Sequence, residues 1–192
     1  ETTFMLPPLG ADNTGGNISQ LTSTSNGLFF SATDDKSPYR LTDENTIVAL
    51  MPLVSTESVE DASHYTSIGD KVVFIGETGT LGEELFVFNT DNDTVTNLAD
   101  LKAGLLSSRP HSLRVTDNNL LFFVADDGTG YSLWVTDGTP DLVNKFLPNH
   151  NGIDESASYQ PGSGFVSAPM GNELLFTAFQ DDDDFLTLWK TS

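Results

Sequence analysis

Apolar runs of strand length recur along the chain, each closed by Asp, Asn, Gly or Pro. Leu28-Phe29-Phe30-Ser31-Ala32, Val72-Val73-Phe74-Ile75-Gly76, Leu121-Phe122-Phe123-Val124-Ala125 and Leu174-Leu175-Phe176-Thr177-Ala178 align with one another. Their phenylalanines Phe30, Phe74, Phe123 and Phe176 are 44, 49 and 53 residues apart, and Ala or Gly stands two places after each. Continuous apolar runs of this length, with no helical period competing, predict strands buried on both faces. A polar strand precedes each run and ends on a turn pair: Asn26-Gly27, Gly69-Asp70, Asn118-Asn119 or Gly171-Asn172. A second strand follows each run, at Tyr39 to Asp43, Leu85 to Asn89, Leu133 to Asp137 and Leu188 to Thr191. A third follows in most units, at Thr46 to Leu50, Thr94 to Leu98 and Leu142 to Leu147.

Four strands in a unit of about 48 residues, repeated four times, predict an all-β fold. One small antiparallel sheet cannot bury both its faces alone, so the repeat predicts a four-bladed β-propeller of four-stranded antiparallel blades. A sandwich of short strands is the alternative. The blades are expected at about 18–53, 62–101, 110–148 and 164–192, as a single domain spanning 1–192. The fourth unit stops at Trp189-Lys190-Thr191-Ser192, where its outer strand is due. Thr2-Thr3-Phe4-Met5-Leu6-Pro7 matches the outer strands at Thr46 to Pro52 and Val143 to Pro148. Residues 2–7 are therefore expected to complete the last blade and close the ring, which removes an unpaired edge.

Charge narrows the partners. Eight Lys and Arg against 28 Asp and Glu leave a net charge of -20, which repels phosphate backbones and anionic membranes, so no nucleic-acid partner is expected. The longest apolar runs, such as Leu120 to Ala125, are too short to cross a bilayer as helices, and no membrane insertion is expected. With no cysteine, disulfides and thiolate chemistry are excluded. The chain opens on Glu1-Thr2-Thr3-Phe4 with neither an initiator Met nor a basic-apolar leader, and reads as a segment of a longer protein.

The third unit runs Leu133-Trp134-Val135-Thr136-Asp137-Gly138-Thr139-Pro140 after its Phe strand, and Leu188-Trp189-Lys190-Thr191 echoes it in the fourth. This stretch resembles the ELWxTDGT repeats of large secreted or surface bacterial proteins. Units one and two depart from the pattern: Arg40 and Phe86 stand for the tryptophan, and neither unit carries Thr-Asp-Gly-Thr. The resemblance implies an extracellular or cell-surface bacterial β-propeller module without assigned chemistry.

In such a ring, the loops from outer strand to next inner strand share a face with the loops joining the two middle strands. That face is expected to hold the long segments Leu9 to Asn17, Val54 to Ser63, Asp100 to Pro110 and Pro148 to Gly164, and with them any binding site. His64 and His111 read as corresponding positions at the entries of inner strands two and three, beside Tyr65 and Arg109. Arg114 lies further in, with Gln20 and Phe165 as counterparts of the histidines and Tyr159 in the longest loop. Imidazoles, guanidinium groups and aromatic faces suit an anionic or sugar-like ligand; capping histidines are the plainer alternative. The clusters Asp126-Asp127-Gly128 and Asp181-Asp182-Asp183-Asp184 offer oxygen ligands of the kind calcium takes, without EF-hand spacing; solvated turns are the alternative. Nucleophile elbows, phosphate loops and zinc-protease motifs are missing from the sequence. Trp134, Trp189 and Phe86 recur at one strand position and read as blade-to-blade packing.

The function expected is noncatalytic extracellular recognition or adhesion, binding a glycan or peptide on the long-loop face with calcium as a possible aid. A hydrolase or lyase acting on polysaccharide, or an assembly module contacting neighbouring domains of a parent chain, are the alternatives.

Overall fold

The computed structural model describes residues 17–32, 36–42, 46–50, 57–146, 166–179 and 186–191. Among them no helix occurs, and the strands form four separate antiparallel meanders. The first sheet contains β1 (Ser19–Thr24), β2 (Gly27–Ala32), β3 (Ser37–Leu41) and β4 (Ile47–Ala49). The second contains β5 (Glu60–Ile68), β6 (Lys71–Glu77), β7 (Glu84–Asn89) and β8 (Thr94–Ala99). The third contains β9 (His111–Val115), β10 (Leu121–Asp126), β11 (Tyr131–Thr136) and β12 (Val143–Lys145). The fourth has three described strands: β13 (Ser167–Met170), β14 (Glu173–Phe179) and β15 (Leu186–Lys190). The expected outer strand at residues 2–7 lies outside the described residues.

Alternation along each Phe strand sends successive side chains to opposite faces; sheets packing in sequence order bury both faces of β6 and β10, while in β14 Leu174, Phe176 and Ala178 are buried and Leu175 and Thr177 only partly. Phe29 and Leu50 of the first sheet meet Tyr65, Val72, Phe74, Phe86 and Phe88 of the second. On the second sheet's other face, Val73, Ile75, Leu85 and Val87 meet Leu121, Phe123, Ala125 and Trp134 of the third. Phe122, Val124 and Leu133 then meet Leu174, Phe176 and Ala178 of the fourth. Phe29, Phe74, Phe123 and Phe176 are among the largest fully buried side chains, each worth about 1.5–3 kcal/mol of burial. Phe74, Phe123 and Phe176 all face the preceding sheet, whereas Phe30 and Ala32 form a separate cluster with Tyr39, Leu41 and Ile47.

The small residue two places after the phenylalanine has a steric cause in unit two. A Cβ on Gly76 would lie 2.5 Å from Val59 Cγ1 and 3.2 Å from the Glu60 carbonyl. Register also corrects one sequence alignment. Phe123 and Phe176 pair directly with Trp134 and Trp189, and Phe74 pairs with Phe86, but Phe30 pairs with Tyr39 rather than Arg40. Tyr39 stacks on Phe30 at 5.8 Å and takes the tryptophan's place. Trp134 and Trp189 make the same bond, each indole N–H donating to the carbonyl of the small residue, Ala125 at 3.2 Å and Ala178 at 3.4 Å.

Candidate functional site

The inner strands β1, β5 and β9 each carry a β-bulge near their entry. Ser19 pairs with Ser31, Ser63 with Ile75 and His111 with Val124, and the residue after each, Gln20, Ser112 or His64, has φ between 54° and 57°. Such bulges re-aim side chains at the cost of a left-handed residue. His64 therefore corresponds to Gln20 and Ser112, while His111 corresponds to Ser19 and Ser63. The expectation that the two histidines are equivalent fails by one residue, enough to turn their side chains differently. Asp61 and Arg109 are equivalent instead, two places before the paired residue, with φ of 49° and 51°.

His64 is exposed, its Nδ1 lying 3.0 Å from Ser63 Oγ. His111 is half-buried, its Nδ1 lying 3.0 Å from Ser112 Oγ and its ring 5.7 Å from that of Tyr131. Burial holds the His111 imidazole below its ordinary pKa. Among the described residues no hydrogen bond or ring contact joins His64 to His111. Arg114 spends donors on backbone carbonyls, Nε to Ser167 at 3.2 Å and Nη1 to Leu113 at 2.8 Å, and so ties β9 to β13. Gln20 and Arg109 are exposed. Tyr65 is a core residue: 5% exposed, it packs on Phe29 and Phe74, and its hydroxyl donates to the Phe30 carbonyl at 3.2 Å beside Ser31 Oγ. Burial drives its phenol far above the usual tyrosine range. A ligand cannot reach it without opening the first two sheets. Phe165 and Tyr159 lie outside the described residues.

The acidic loop of unit three is satisfied from within the fold. Asp126 Oδ1 accepts the Gly128 and Gly130 amides at 2.8 and 3.1 Å, and Oδ2 meets Lys102. The Lys102 contact leads in holding the Asp126 carboxyl below its ordinary pKa. Asp127 Oδ1 accepts the Thr129 amide and hydroxyl at 3.0 and 2.6 Å, and Oδ2 lies 3.1 Å from Lys145. Burial opposes ionisation of Asp127, and the Thr129 and Lys145 contacts outweigh it, leaving the pKa lowered. A calcium ion at Asp126 and Asp127 would have to displace two lysines. Asp181, Asp182 and Asp183 lie outside the described residues.

Glu84 was not singled out by any sequence pattern. It is 0% exposed at the start of β7, and its carboxylate organises the loop 100–110. Oε1 accepts the Lys102 and Ser108 amides at 3.3 and 3.1 Å; Oε2 accepts the Leu101 amide at 3.3 Å and the Ser108 hydroxyl. Burial pushes its pKa up, and the Ser108 hydroxyl and three amides oppose that rise. The loop is further fixed by Gly82 N–H to the Gly104 carbonyl at 2.9 Å, Ser108 N–H to Glu83 at 3.1 Å, and Asp126 N–H to Ser108 at 2.8 Å. Gly82 is required at this crossing: a Cβ there would lie 2.6 Å from the Leu106 carbonyl carbon and oxygen. The loop joining β8 to β9 thus packs on the loops following β6 and β10, one face of the molecule. At its tip Leu105 and Leu106 are 71% and 60% exposed.

A small cleft of about 70 Å³ opens at the other end, where β3–β4 and β7–β8 turn. Arg40 lies over Phe88 at 5.5 Å and meets Asp93 at 3.1 Å, with Val48, Ala49 and Leu50 as its apolar wall.

No family model matches the chain, and no curated protein sequence matches it significantly. Among solved structures, TolB from Acinetobacter baumannii is similar with a TM-score of 0.43 and 18% identity over 85% of this chain. The chain spans about 40% of that structure's length. A likeness of this size assigns neither substrate nor partner.

Proposed function

We propose that the four sheets are the blades of a β-propeller and that the domain is a noncatalytic recognition module whose ligand, a peptide or glycan, docks on the long-loop face. The observation that carries the reading is the loop 100–110, whose buried anchor Glu84 holds its backbone in place while its tip meets solvent. A loop fixed on a rigid scaffold binds without first losing conformational freedom. Export of the domain fits the resemblance carried by Leu133 to Thr139, and calcium assistance would fall to Asp181, Asp182 and Asp183, since the carboxylates of Asp126 and Asp127 are engaged by Lys102 and Lys145.

Ring closure is supported by the two terminal sheets. The Phe30 and Ala32 face of the first sheet is the one that, in the other units, meets a preceding sheet. On the fourth sheet Leu188 and Met170, 66% and 53% exposed, lie on the face turned from the third. In the closed ring these faces meet, with residues 2–7 as the last blade's outer strand.

The test is a glycan and peptide array probed with the domain, with and without calcium. Saturable binding lost on deleting residues 103–106 is expected; silence on every array under both conditions refutes recognition by this face.

A further inference from the structure

Among the described residues of the long-loop face, Leu105 and Leu106 are adjacent exposed apolar side chains, 71% and 60% exposed, and none of the loop's hydrogen bonds needs them there. Its hydrogen bonds run through Gly104, Ser107, Ser108 and the amides of Leu101 and Lys102, and Gly104 itself closes onto Asp100 Oδ2 at 3.1 Å. Two leucines held out on a backbone this constrained form a preorganised apolar knob, the kind of feature that dominates protein interfaces once buried in a partner's pocket.

The surroundings state the charge of that partner. Glu83 follows Gly82, on which the Leu106 backbone rests. Glu60 and Glu77 are direct partners across β5 and β6, and burial first, then the negative fields of Asp61, Glu83 and Glu60, hold the Glu77 carboxyl above its ordinary pKa. Of the nearby lysines, Lys36 is engaged by Asp61 and Lys102 by Asp126. Exposed Arg109 supplies donors suited to peptide carbonyls. Carboxylates beside an apolar knob, on a chain of net charge -20, complement a cationic surface and repel an anionic one.

We infer that the ligand of the long-loop face is a cationic protein or peptide segment that receives Leu105 and Leu106 in an apolar pocket and sets Lys or Arg against Glu60, Glu77 and Glu83. This rests on the recognition reading and narrows it from glycan or peptide to one chemistry. Basic groups steer the encounter; the leucines provide the specific contact.

The experiment titrates three labelled synthetic peptides of equal length by fluorescence anisotropy: alternating Lys and Leu, alternating Lys and Ser, and alternating Glu and Leu. Saturable binding is expected for the Lys/Leu peptide alone, weakening with added sodium chloride. The double variant L105S/L106S, at positions exposed enough to leave folding intact, should weaken it by about tenfold or more. E60Q/E83Q should weaken it several-fold and flatten its salt dependence. Equal binding of the Lys/Leu peptide to L105S/L106S, or equal binding of the Lys/Ser peptide, overturns the inference, because charge alone then suffices. Self-association of the parent domain that L105S/L106S abolishes overturns it in favour of a second copy. An array glycan that binds parent and L105S/L106S alike sinks this inference and leaves recognition by the loop face standing; silence in both assays removes both.

Discussion

Replacing Glu84 with Ala tests the anchoring of the loop directly. The substitution removes the acceptor of three amides and one hydroxyl. Ser108 keeps a partner, since its N–H also reaches the Glu83 carbonyl at 3.1 Å and its hydroxyl lies 3.4 Å from the same atom. Leu101 and Lys102 lose their acceptor, and both amides are part-buried. At about 1 kcal/mol for each orphaned amide, and about 1–2 kcal/mol for the emptied volume, less about 1 kcal/mol recovered because no charge is buried, the net loss is about 2–3 kcal/mol. For a domain of this size that is about 4–12 °C in Tm. Glu84→Gln keeps one carbonyl acceptor and turns an amide N–H₂ toward backbone donors, so about half that loss is expected.

Thermal melts read the global effect, and amide hydrogen exchange at Leu101 and Lys102 reads the local one, with protection falling by about thirtyfold for 2 kcal/mol. A Glu84→Ala protein melting within about 2 °C of the parent, or keeping the exchange rates of those two amides, would refute the anchoring argument. The pH dependence has a fixed sign. A carboxyl whose pKa is raised on folding binds its proton more tightly in the native state. Its stabilisation is fully present below the unfolded value and is lost as pH rises through the folded one. The parent should therefore lose stability relative to Glu84→Gln as pH rises through the window above 4.5.

Asp126→Asn should cost about 1 kcal/mol near neutral pH in calcium-free buffer, because Lys102 loses its counter-charge at a partly sheltered site. Its pKa is lowered on folding, so the difference from the parent should shrink as pH falls below 3.8, as urea melts across pH would report. Gly82→Ala should push the 105–107 backbone away from its crossing, costing about 1–3 kcal/mol, with amide shift changes concentrated at Leu106 and Ser107. An unshifted spectrum there would contradict the close approach.

The middle strands were legible because burial on both faces writes itself as an unbroken apolar run, as from Leu121 to Ala125, which no surface strand would carry. Turns at Gly69-Asp70 and Gly171-Asn172 were legible for an equally local reason: both glycines take positive φ, at 58° and 61°. The inner strands were placed by the turn pair that ends each one, but their register was not legible. Their sequences are polar with no alternation to fix register, and the bulges that insert a residue before Thr22, Thr66 and Arg114 leave no compositional trace. His64 and His111 were misaligned for this reason. Glu84 was hidden because its burial depends on a loop that begins some fifteen residues later and folds back. Tyr39 in place of Arg40 has the same origin, a hairpin register settled by packing on Phe30 rather than by the motif that follows it.

The Asp-Gly-Thr motif can now be read as geometry. At Asp137-Gly138-Thr139 the aspartate Oδ1 accepts the Thr139 amide at 2.9 Å and its hydroxyl, while Gly138, at φ 80°, donates to Thr136 Oγ1 at 3.0 Å. At Asp127-Gly128-Thr129 the same carboxylate-to-amide and carboxylate-to-hydroxyl bonds recur, with Gly128 at φ 94°. One motif closes a turn at each end of β11. An aspartate that satisfies its own turn, and at Asp127 a lysine as well, has little capacity left for a ligand. The repeated residues therefore build the scaffold, and under the proposed recognition role discrimination between ligands would fall to segments that the units do not share. Among the described residues the 100–110 loop is the fullest example, with a buried carboxylate beneath it and two leucines in the solvent above.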